Sequence, residues 1–257
     1  MNIISIIPAR MASSRFPGKP MKDIFGMPMI EHVYRRVKMS KILSEVYVAT
    51  CDKEIFDHIK SIGGKAVMTS DSHERCTDRC AEAMLKIEDE TKEKCDIIVM
   101  VQGDEPLTFP QMIDEAIEPM IKDKNIVITN LVADIDTIEE FETPNEVKVV
   151  MDKKNNALYF SREPIPSRKK GILEVPMKKQ VCVIPFKRDF LLEYNKIEPT
   201  PLEIIESVDM MRILENGGKV LMCETNYKTK AVDNKNDLEL VEQMMKEDKL
   251  FAHYKCQ

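Results

Sequence analysis

The chain has 257 residues, of which 43% are apolar and 32% charged, and its formal net charge is −6. This length suits one large α/β domain or two small ones, and the composition is that of an ordinary folded protein with a sizeable core. The acidic balance excludes a histone-like protein that wraps nucleic acid through a basic field. A local group of arginines and lysines can still bind a nucleotide.

Cysteine usage and the first residues predict the compartment. The seven cysteines form no CxxC pair, and only four histidines accompany them, which favours reduced thiols of a cytoplasmic protein over a disulfide framework or a zinc site. The apolar start, residues 2–7, is short and is followed at once by Pro8 and Arg10, so we expect no signal peptide. No stretch approaches the roughly 20 apolar residues of a membrane span. We expect neither a membrane nor a nucleic acid as partner.

The first half of the chain alternates short apolar runs with longer amphipathic stretches. Alternating strands and helices predict a parallel sheet covered by helices on both faces, and such sheets bind ligands at the carboxyl ends of their strands. The predicted strands are 3–8, 46–49, 65–68 and 97–102, and the predicted helices are 28–39, 53–62 and 78–92.

In the second half of the chain the apolar runs are shorter and are separated by short turns such as 153–156. We expect one domain, residues 1–257, with an inserted antiparallel part at roughly 145–205. The elements predicted here are strands at 126–132, 147–151, 158–160, 181–184 and 220–223, a mobile surface loop at 164–179, and helices at 201–215 and 235–248.

A loop rich in cations follows the first predicted strand, from Pro8 to Pro20. It contains Arg10, Arg15 and Lys19 together with two serines and a glycine. This composition is typical of a polyphosphate cradle, because backbone N–H groups and hydroxyls approach phosphate oxygens while the cations neutralise them. The loop lacks GxxxxGK[ST], which excludes a Walker A loop, and the absence of GxGxxG argues against a dinucleotide site. A solvated basic loop is the alternative interpretation.

Two acids are candidates for a metal site. Asp104 follows the predicted strand 97–102, and a carboxylate at the end of a parallel strand faces the ligand crevice, where Mg²⁺ would bridge it to phosphate oxygens. Asp104 could instead be a surface or capping residue. Asp233 is the second candidate, but the local pattern also suits Asp233 or Asn234 as the cap of the last helix.

The segment PARMASSRFPGKP at 8–20 resembles the opening signature of sugar nucleotidyltransferases, and more narrowly of the CMP-Kdo synthetases (3-deoxy-manno-octulosonate cytidylyltransferases). VQGDEP at 101–106 and VKVV at 147–150 are similar to further blocks of that family, and the resemblance extends from Pro8 to Leu238. It implies a Rossmann-like nucleotidyltransferase α/β fold, with a mostly parallel sheet, helices on both faces and a small antiparallel insertion. The implied reaction transfers CMP from CTP to a 2-keto-3-deoxy sugar acid and releases pyrophosphate.

The same resemblance implies the residues of the site and a homodimer paired through the insertion. Lys19, Arg10 and Asp104 would act in catalysis, and Asp104 and Asp233 would hold Mg²⁺ together with the phosphates. Arg162 would anchor the acceptor carboxylate by bidentate pairing, although a structural ion pair is an alternative. The implied nucleotide-binding residues are Pro8, Ala9, Arg10, Ser13, Arg15, Lys19, Thr77, Arg79, Gln102 and Asp104, and the implied acceptor-binding residues are Gln102, Arg162, Gln180 and Asp209.

Departures from the family pattern fall in the loop near the base and in the acceptor pocket. Arg75-Cys76 stands where the family has Ser-Gly, 180–184 lacks its His and Tyr, and Asp209-Met210 replaces its Glu-Gln pair. After Asp233, Asn234-Lys235 replaces the family's Thr-Pro. Because apolar groups cannot hydrogen-bond a polyol, the identity of the acceptor stays open at this point.

Several functions remain compatible with the residues. The acceptor is Kdo or a modified Kdo-like acid, or else another small acid such as a different sugar acid, a phosphonate or a phosphate. Another nucleoside triphosphate used on a sugar phosphate is a further alternative. A nucleotide-binding regulatory domain without turnover is the alternative that is not an enzyme.

Overall fold

The computed structural model describes residues 1–13, 15–171 and 174–255. These form two compact units: residues 1–114 with 228–257, and residues 115–227. The first unit therefore contains both ends of the chain. The division does not test the expectation of a single domain with an insertion at roughly 145–205, which stays a prediction.

The first unit contains a parallel sheet. Its strands, with those of a short hairpin, are β1 (Ile3–Ala9), β2 (Asp23–Ile24), β3 (Met27–Pro28), β4 (Glu45–Thr50), β5 (Lys65–Met68) and β6 (Ile97–Val101). β1 lies between β4 and β6, β5 pairs with β4, and all four run parallel. Every residue of β1 and β6 is buried, as expected for strands covered on both faces. The four sheet strands confirm the predicted ones to within two residues.

Helices follow these strands in the order that the sequence predicts. They are α1 (Met29–Val37), α2 (Lys53–Ser61), α3 (Cys76–Thr91) and α4 (Pro110–Lys122). The first three confirm predicted helices, whereas α4 is absent from the predictions. Pro119 stands inside α4 and would ordinarily break a helix, since proline removes a backbone donor and clashes with the preceding turn.

The second unit is built on a mixed sheet in the order β12-β7-β10-β8-β9, where only the β12–β7 pair is parallel within the described residues. The five strands of this sheet are β7 (Thr129–Asp134), β8 (Lys148–Met151), β9 (Ala157–Ser161), β10 (Lys178–Val181) and β12 (Leu221–Glu224). A further strand of the unit, β11 (Val183–Lys187), lies outside this strand order. The single strand predicted at 181–184 is wrong, because the chain bends at Cys182 between β10 and β11.

The predicted loop 164–179 is too long at its end, since β10 begins at Lys178 and pairs there with β7. Ile172 and Leu173, which fall in this loop, lie outside the described residues.

The helices of the second unit are α5 (Ile138–Glu142), α6 (Arg188–Tyr194), α7 (Pro201–Glu206) and α8 (Met210–Glu215). The predicted helix 201–215 is therefore wrong in its middle. Ser207 has φ 53°, in the left-handed region that ends a helix, and the carbonyl of Glu206 accepts a hydrogen bond from Arg162 instead of from a following turn. α5 and α6 are not predicted.

The chain returns to the first unit in α9 (Lys235–Lys246) and α10 (Lys249–Tyr254). α9 confirms the predicted helix 235–248 to within two residues, whereas α10 is not predicted. Tyr254 is fully buried, and its hydroxyl hydrogen-bonds His32 and Arg36 of α1, which fastens the end of the chain to the unit.

A parallel sheet flanked by helices and a mostly antiparallel second sheet confirm the predicted α/β class. No helix among the described residues combines the length and the apolar character that crossing a membrane requires.

Candidate active site

The loop after β1 closes on Met11. The amide of Gly18 donates to the carbonyl of Met11 (2.9 Å), and the amide of Met11 donates to Oδ2 of Asp52 (2.8 Å). Gly18 has φ 71°, which glycine adopts without steric cost. A 3₁₀ turn, Lys19–Met21, begins directly after it. The closure of the loop therefore fixes where the Lys19 side chain begins.

The other predicted phosphate-binding residues lie along this loop. Pro8 and Ala9 end β1, and Arg10 and Arg15 are exposed. Ser13 is half-buried, and its hydroxyl accepts a long hydrogen bond from the amide of Phe16 (3.4 Å). The two arginines and Lys19 place three cations in this loop.

Asp104 reaches the site through a close approach of two strand ends. A Cβ built on Gly103 would lie 2.9 Å from the carbonyl oxygen of Pro8 and 3.0 Å from Cδ1 of Ile30. Only glycine permits that approach. The turn after β6 therefore packs against the end of β1, as the position of Asp104 after a parallel strand predicts.

Asp233 precedes α9, and its neighbour caps that helix. The side chain of Asn234 accepts from the amide of Asp237, and the side chain of Asp237 accepts from the amide of Asn234, which is a capping box. Of the two residues considered from the sequence, Asn234 is the cap. The carboxylate of Asp233 accepts hydrogen bonds from Lys19 and Arg15 instead.

Lys19 joins the two acids. Its Nζ lies 2.6 Å from Oδ2 of Asp104 and 3.3 Å from Oδ1 of Asp233, and it donates to the carbonyl of Val232 at 2.9 Å. Arg15 contacts the same Asp233 oxygen at 2.9 Å. Burial lowers the pKa of Lys19, but Asp104 and Asp233 raise it, and the net direction is upward. The amine therefore stays protonated between two partly buried carboxylates.

The acids fit a divalent cation. Oδ1 of Asp104 is buried and has no hydrogen-bond partner among the described residues. A buried carboxylate oxygen without a donor suits a hard cation, which takes oxygen ligands. The described parts of the chain contain no cluster of three or more His, Cys, Asp and Glu side chains placed to hold a metal. A metal here needs further ligands from another molecule, and a triphosphate supplies such oxygens.

The loop before α3 is shaped by Arg79. Its guanidinium is buried and donates to Oγ1 of Thr69 (2.5 Å) and to the carbonyls of Ser70 (3.1 Å) and His73 (3.3 Å). Thr77 is fully buried in the first turn of α3. Both residues thus lie in the first turn of α3, and their nucleotide-binding roles stay predictions.

Gln102 is half-buried at the end of β6, directly before Gly103 and Asp104. Its carbonyl accepts from the amide of Glu105 (3.3 Å), which forms the tight turn that presents Asp104. Its predicted contacts to nucleotide and acceptor stay predictions.

The remaining predicted acceptor residues lie in the second unit. Arg162 donates to the carbonyls of Glu206 (2.8 Å), Pro144 (2.8 Å) and Ser207 (3.4 Å). Gln180 donates to Oδ1 of Asn130 (2.6 Å). These bonds hold both side chains in defined positions, and the acceptor roles remain to be tested.

Asp209 precedes α8, and its carbonyl accepts from the hydroxyl of Tyr194 (3.0 Å). Two other positions where the chain departs from the CMP-Kdo synthetase pattern, Ile184 and Met210, are buried. Their side chains therefore contribute to the packing of the second unit, and the role of Asp209 stays a prediction.

Two polar residues beside the acids are absent from the predicted site. Glu105 and Thr229 are both buried, and Oγ1 of Thr229 donates to Oε2 of Glu105 at 2.7 Å. The proximity of Glu105 to Asp104 in the sequence is a signal that could have marked it. Nothing in the local pattern marks Thr229.

The family model described as cytidylyltransferase matches residues 4–229. The 3-deoxy-manno-octulosonate cytidylyltransferase of Geobacter metallireducens is 42% identical over 251 residues, which cover 94% of this chain and 96% of that protein. The enzyme of the same name from Fusobacterium nucleatum is 41% identical over 251 residues, covering 97% and 99%.

Among solved structures, the chain is similar to CMP:2-keto-3-deoxy-manno-octonic acid synthetase complexed with CTP. The TM-score is 0.86 at 35% identity, and the match covers 96% of this chain and 99% of that one. The likeness confirms the nucleotidyltransferase fold that the sequence predicts.

Proposed function

The chain belongs to the cytidylyltransferase family, and from that membership we propose that it transfers CMP from CTP to 3-deoxy-manno-octulosonate (Kdo) and releases pyrophosphate. The observation that carries the proposal is the position of Lys19 between Asp104 and Asp233 at the end of the parallel sheet. The names of relatives that match over nearly their whole length support Kdo as the acceptor.

The loop 8–20 binds the triphosphate. Arg10 and Arg15 are exposed cations at the carboxyl end of β1, where ligands of parallel sheets bind. Together with Lys19 they neutralise the phosphate oxygens, and the hydroxyl of Ser13 offers a further donor. Pro8, Ala9, Thr77, Arg79 and Gln102 complete the proposed nucleotide site.

The family works with a divalent metal ion, and we assign Mg²⁺ to Asp104 and Asp233. Once bound, the ion supplies positive charge to the α-phosphate and to the leaving pyrophosphate. The buried Oδ1 of Asp104 supports the assignment, since no described residue donates to it.

In the transfer, a hydroxyl oxygen of the acceptor attacks the α-phosphorus of CTP in line with the bond to the β-phosphate. That bond breaks, pyrophosphate leaves, and the hydroxyl proton passes to solvent. Arg10, Arg15 and Lys19 neutralise the negative charge of the departing pyrophosphate. Catalysis is then mostly positioning and electrostatics.

Arg162, Gln180, Asp209 and Gln102 are the residues proposed for the acceptor. Of these, Arg162 carries the charge that a sugar carboxylate requires, and its planar guanidinium suits bidentate pairing. Its bonds to three carbonyls hold the group in one orientation.

We also propose a cytoplasmic homodimer paired through residues 145–205. The large apolar side chains of Leu158, Ile204 and Ile205 are 60%, 62% and 73% exposed, and exposed apolar surface of this kind is typical of an interface. Light scattering at micromolar protein, which measures the mass in solution, tests the pairing. A monomer mass would contradict it.

Pyrophosphate release tests the function. We expect release with CTP, Kdo and Mg²⁺, and little with UTP, GTP or ATP in place of CTP. Release with CTP and a different sugar acid, but not with Kdo, would move the assignment to that acceptor. If no pyrophosphate is released with any of a broad panel of acidic acceptors, a nucleotide-binding domain without turnover would be favoured.

The Asp104→Asn variant tests the assignment of the metal ion to Asp104. It is nearly isosteric, so the fold should persist while the rate falls by about a thousandfold, the loss expected when an electrostatic contribution of about 4 kcal/mol disappears. Circular dichroism checks the fold, and the Asp237→Asn variant, which alters the neighbouring cap, should lose far less activity. Full activity in Asp104→Asn would overturn the metal assignment.

A further inference from the structure

Two buried polar side chains flank the acidic pair without taking part in the proposed transfer. Glu105 follows Asp104 directly, Thr229 stands four residues before Asp233, and the two are 5% and 7% exposed. Oγ1 of Thr229 donates to Oε2 of Glu105 at 2.7 Å. A buried carboxylate is costly unless it is hydrogen-bonded, so the hydroxyl contributes to holding it in place.

The backbone makes a second link between the same two segments. The amide of Val232 donates to the carbonyl of Asp104 (2.9 Å), and the carbonyl of Val232 accepts from Nζ of Lys19 (2.9 Å). These bonds hold the segment at Val232. The Thr229–Glu105 bond ties the other end of the segment 229–233 to the turn that carries Asp104.

Glu105 itself is anchored on its own segment. Its amide donates to the carbonyl of Gln102 (3.3 Å), and its carbonyl accepts from the hydroxyl of Thr108 (2.9 Å). Gly103 packs the same turn against the end of β1. Thr229 is therefore tied to a rigid turn, and the position of Asp233 follows from that of Asp104.

We propose that Glu105 and Thr229 are positioning residues that set the spacing of the Asp104 and Asp233 carboxylates for the metal; the assignment rests on the proposed function. Mg²⁺ demands nearly ideal octahedral geometry with oxygens at about 2.1 Å, so a small change in spacing weakens its binding. The CTP phosphates bind to the loop cations as well as to the metal, so their binding should depend less on this spacing.

The test is Thr229→Val, which removes the hydroxyl and keeps the shape. We expect the Mg²⁺ concentration for half-maximal rate to rise about tenfold, as for other residues that orient metal ligands. The KM for CTP at saturating Mg²⁺ should change less than about twofold. Thr229→Ser keeps the hydroxyl and should restore the wild-type metal dependence. Should Thr229→Val not fold, Thr229→Ala removes the same group.

A matched control separates positioning from stability. Ser5→Ala removes another buried hydroxyl of the first unit, which donates to the carbonyl of Val99 (3.0 Å). It should lower the thermal midpoint without moving the metal dependence. An unchanged metal dependence in Thr229→Val, or an equal shift in Ser5→Ala, would overturn the proposal.

The binding of Mn²⁺ in the presence of CTP, followed by electron paramagnetic resonance, gives a readout that needs no turnover. We expect the Mn²⁺ affinity to fall about tenfold in Thr229→Val and to be near wild type in Thr229→Ser. A wild-type protein without turnover would count against the proposed reaction alone. Equal Mn²⁺ affinities in wild type and Thr229→Val would count against the positioning role alone.

Discussion

Lys19 occupies the place where a cation is needed between Asp104 and Asp233. Its ammonium lies between two carboxylates that are 18% and 12% exposed and reduces their mutual repulsion. The sequence predicts these three residues through the family signature. Thr229 escapes prediction because its role depends on a contact with Glu105, 124 positions away along the chain.

Because the ammonium of Lys19 contacts both acids, we expect it to compete with a metal ion at the proposed site until the phosphates of a nucleotide draw it away. We therefore expect Lys19→Met to bind Mn²⁺ without CTP about tenfold more tightly than wild type, which corresponds to about 1.4 kcal/mol. Titration followed by electron paramagnetic resonance measures this affinity. In Lys22→Met the lost ammonium lies over the ring of Phe16, away from the acids, so that variant should match wild type. Weaker binding in Lys19→Met would refute the competition.

At the scale of elements, the break between α7 and α8 shows what periodicity cannot predict. Residues 201–215 carry a continuous helical pattern, yet Ser207 adopts a left-handed conformation. The break follows from contacts made elsewhere, since the carboxylate of Glu206 accepts from Tyr159, Ser161 and the amide of Arg162. Such distant partners leave no trace in the local sequence.

A buried ion pair joins the two helices across that break. Arg212 contacts Glu203 at 2.6 and 2.7 Å, and both are almost fully buried. Glu203→Leu would leave the guanidinium without its counter-charge, so we expect a loss of about 3–5 kcal/mol in the free energy of unfolding, measured with urea. Asp57→Asn, which breaks the exposed pair with Lys53, should cost less than about 1 kcal/mol.

Adding Arg212→Met to Glu203→Leu removes the stranded charge and should recover much of the loss, because a buried pair replaced by apolar groups is often neutral. A double variant no more stable than the single one would show that packing, and not charge, holds the helices together.

At the scale of the whole molecule, the sequence predicts the parallel sheet well because its strands are short apolar runs between amphipathic helices, and β1 and β6 are buried throughout. The strands of the second unit are harder to predict, since they are short and one apolar run, 181–184, covers the end of β10 and the start of β11. The contacts of the C-terminal helix cannot be predicted from the local sequence either, because they join residues that are far apart in the chain. Tyr254 packs on α1, far away in the sequence.

Those contacts predict how stability responds to acid. Nε2 of His32 donates to the carbonyl of Ile24 (2.8 Å), and in the neutral ring Nδ1 accepts from the hydroxyl of Tyr254 (2.7 Å). Burial lowers the pKa of His32 from 6.5, and the neighbouring Arg36 lowers it further, against the raising effects of the Ile24 carbonyl, Glu31 and Asp23.

A lowered pKa in the folded state means that the unfolded chain takes up the proton first. Stability from the neutral ring is therefore complete above pH 6.5 and is lost as the pH falls below it. Urea unfolding at pH 7.5 and 5.5 should show this loss in wild type and a smaller one in His32→Gln. The His253→Gln variant, which changes an exposed ring, should keep the wild-type loss. An equal loss in wild type and His32→Gln would rule out His32 as its source.

The first unit draws its residues from both ends of the chain, and this fixes the order in which a ribosome completes the acidic pair. Lys19 and Asp104 leave the exit tunnel early, while Asp233 emerges only after the whole second unit has been translated. Until then the lysine has one carboxylate partner instead of two. A message cut short before Asp233 yields a chain that contains the residues of β1, β4, β5 and β6 but lacks the second acid.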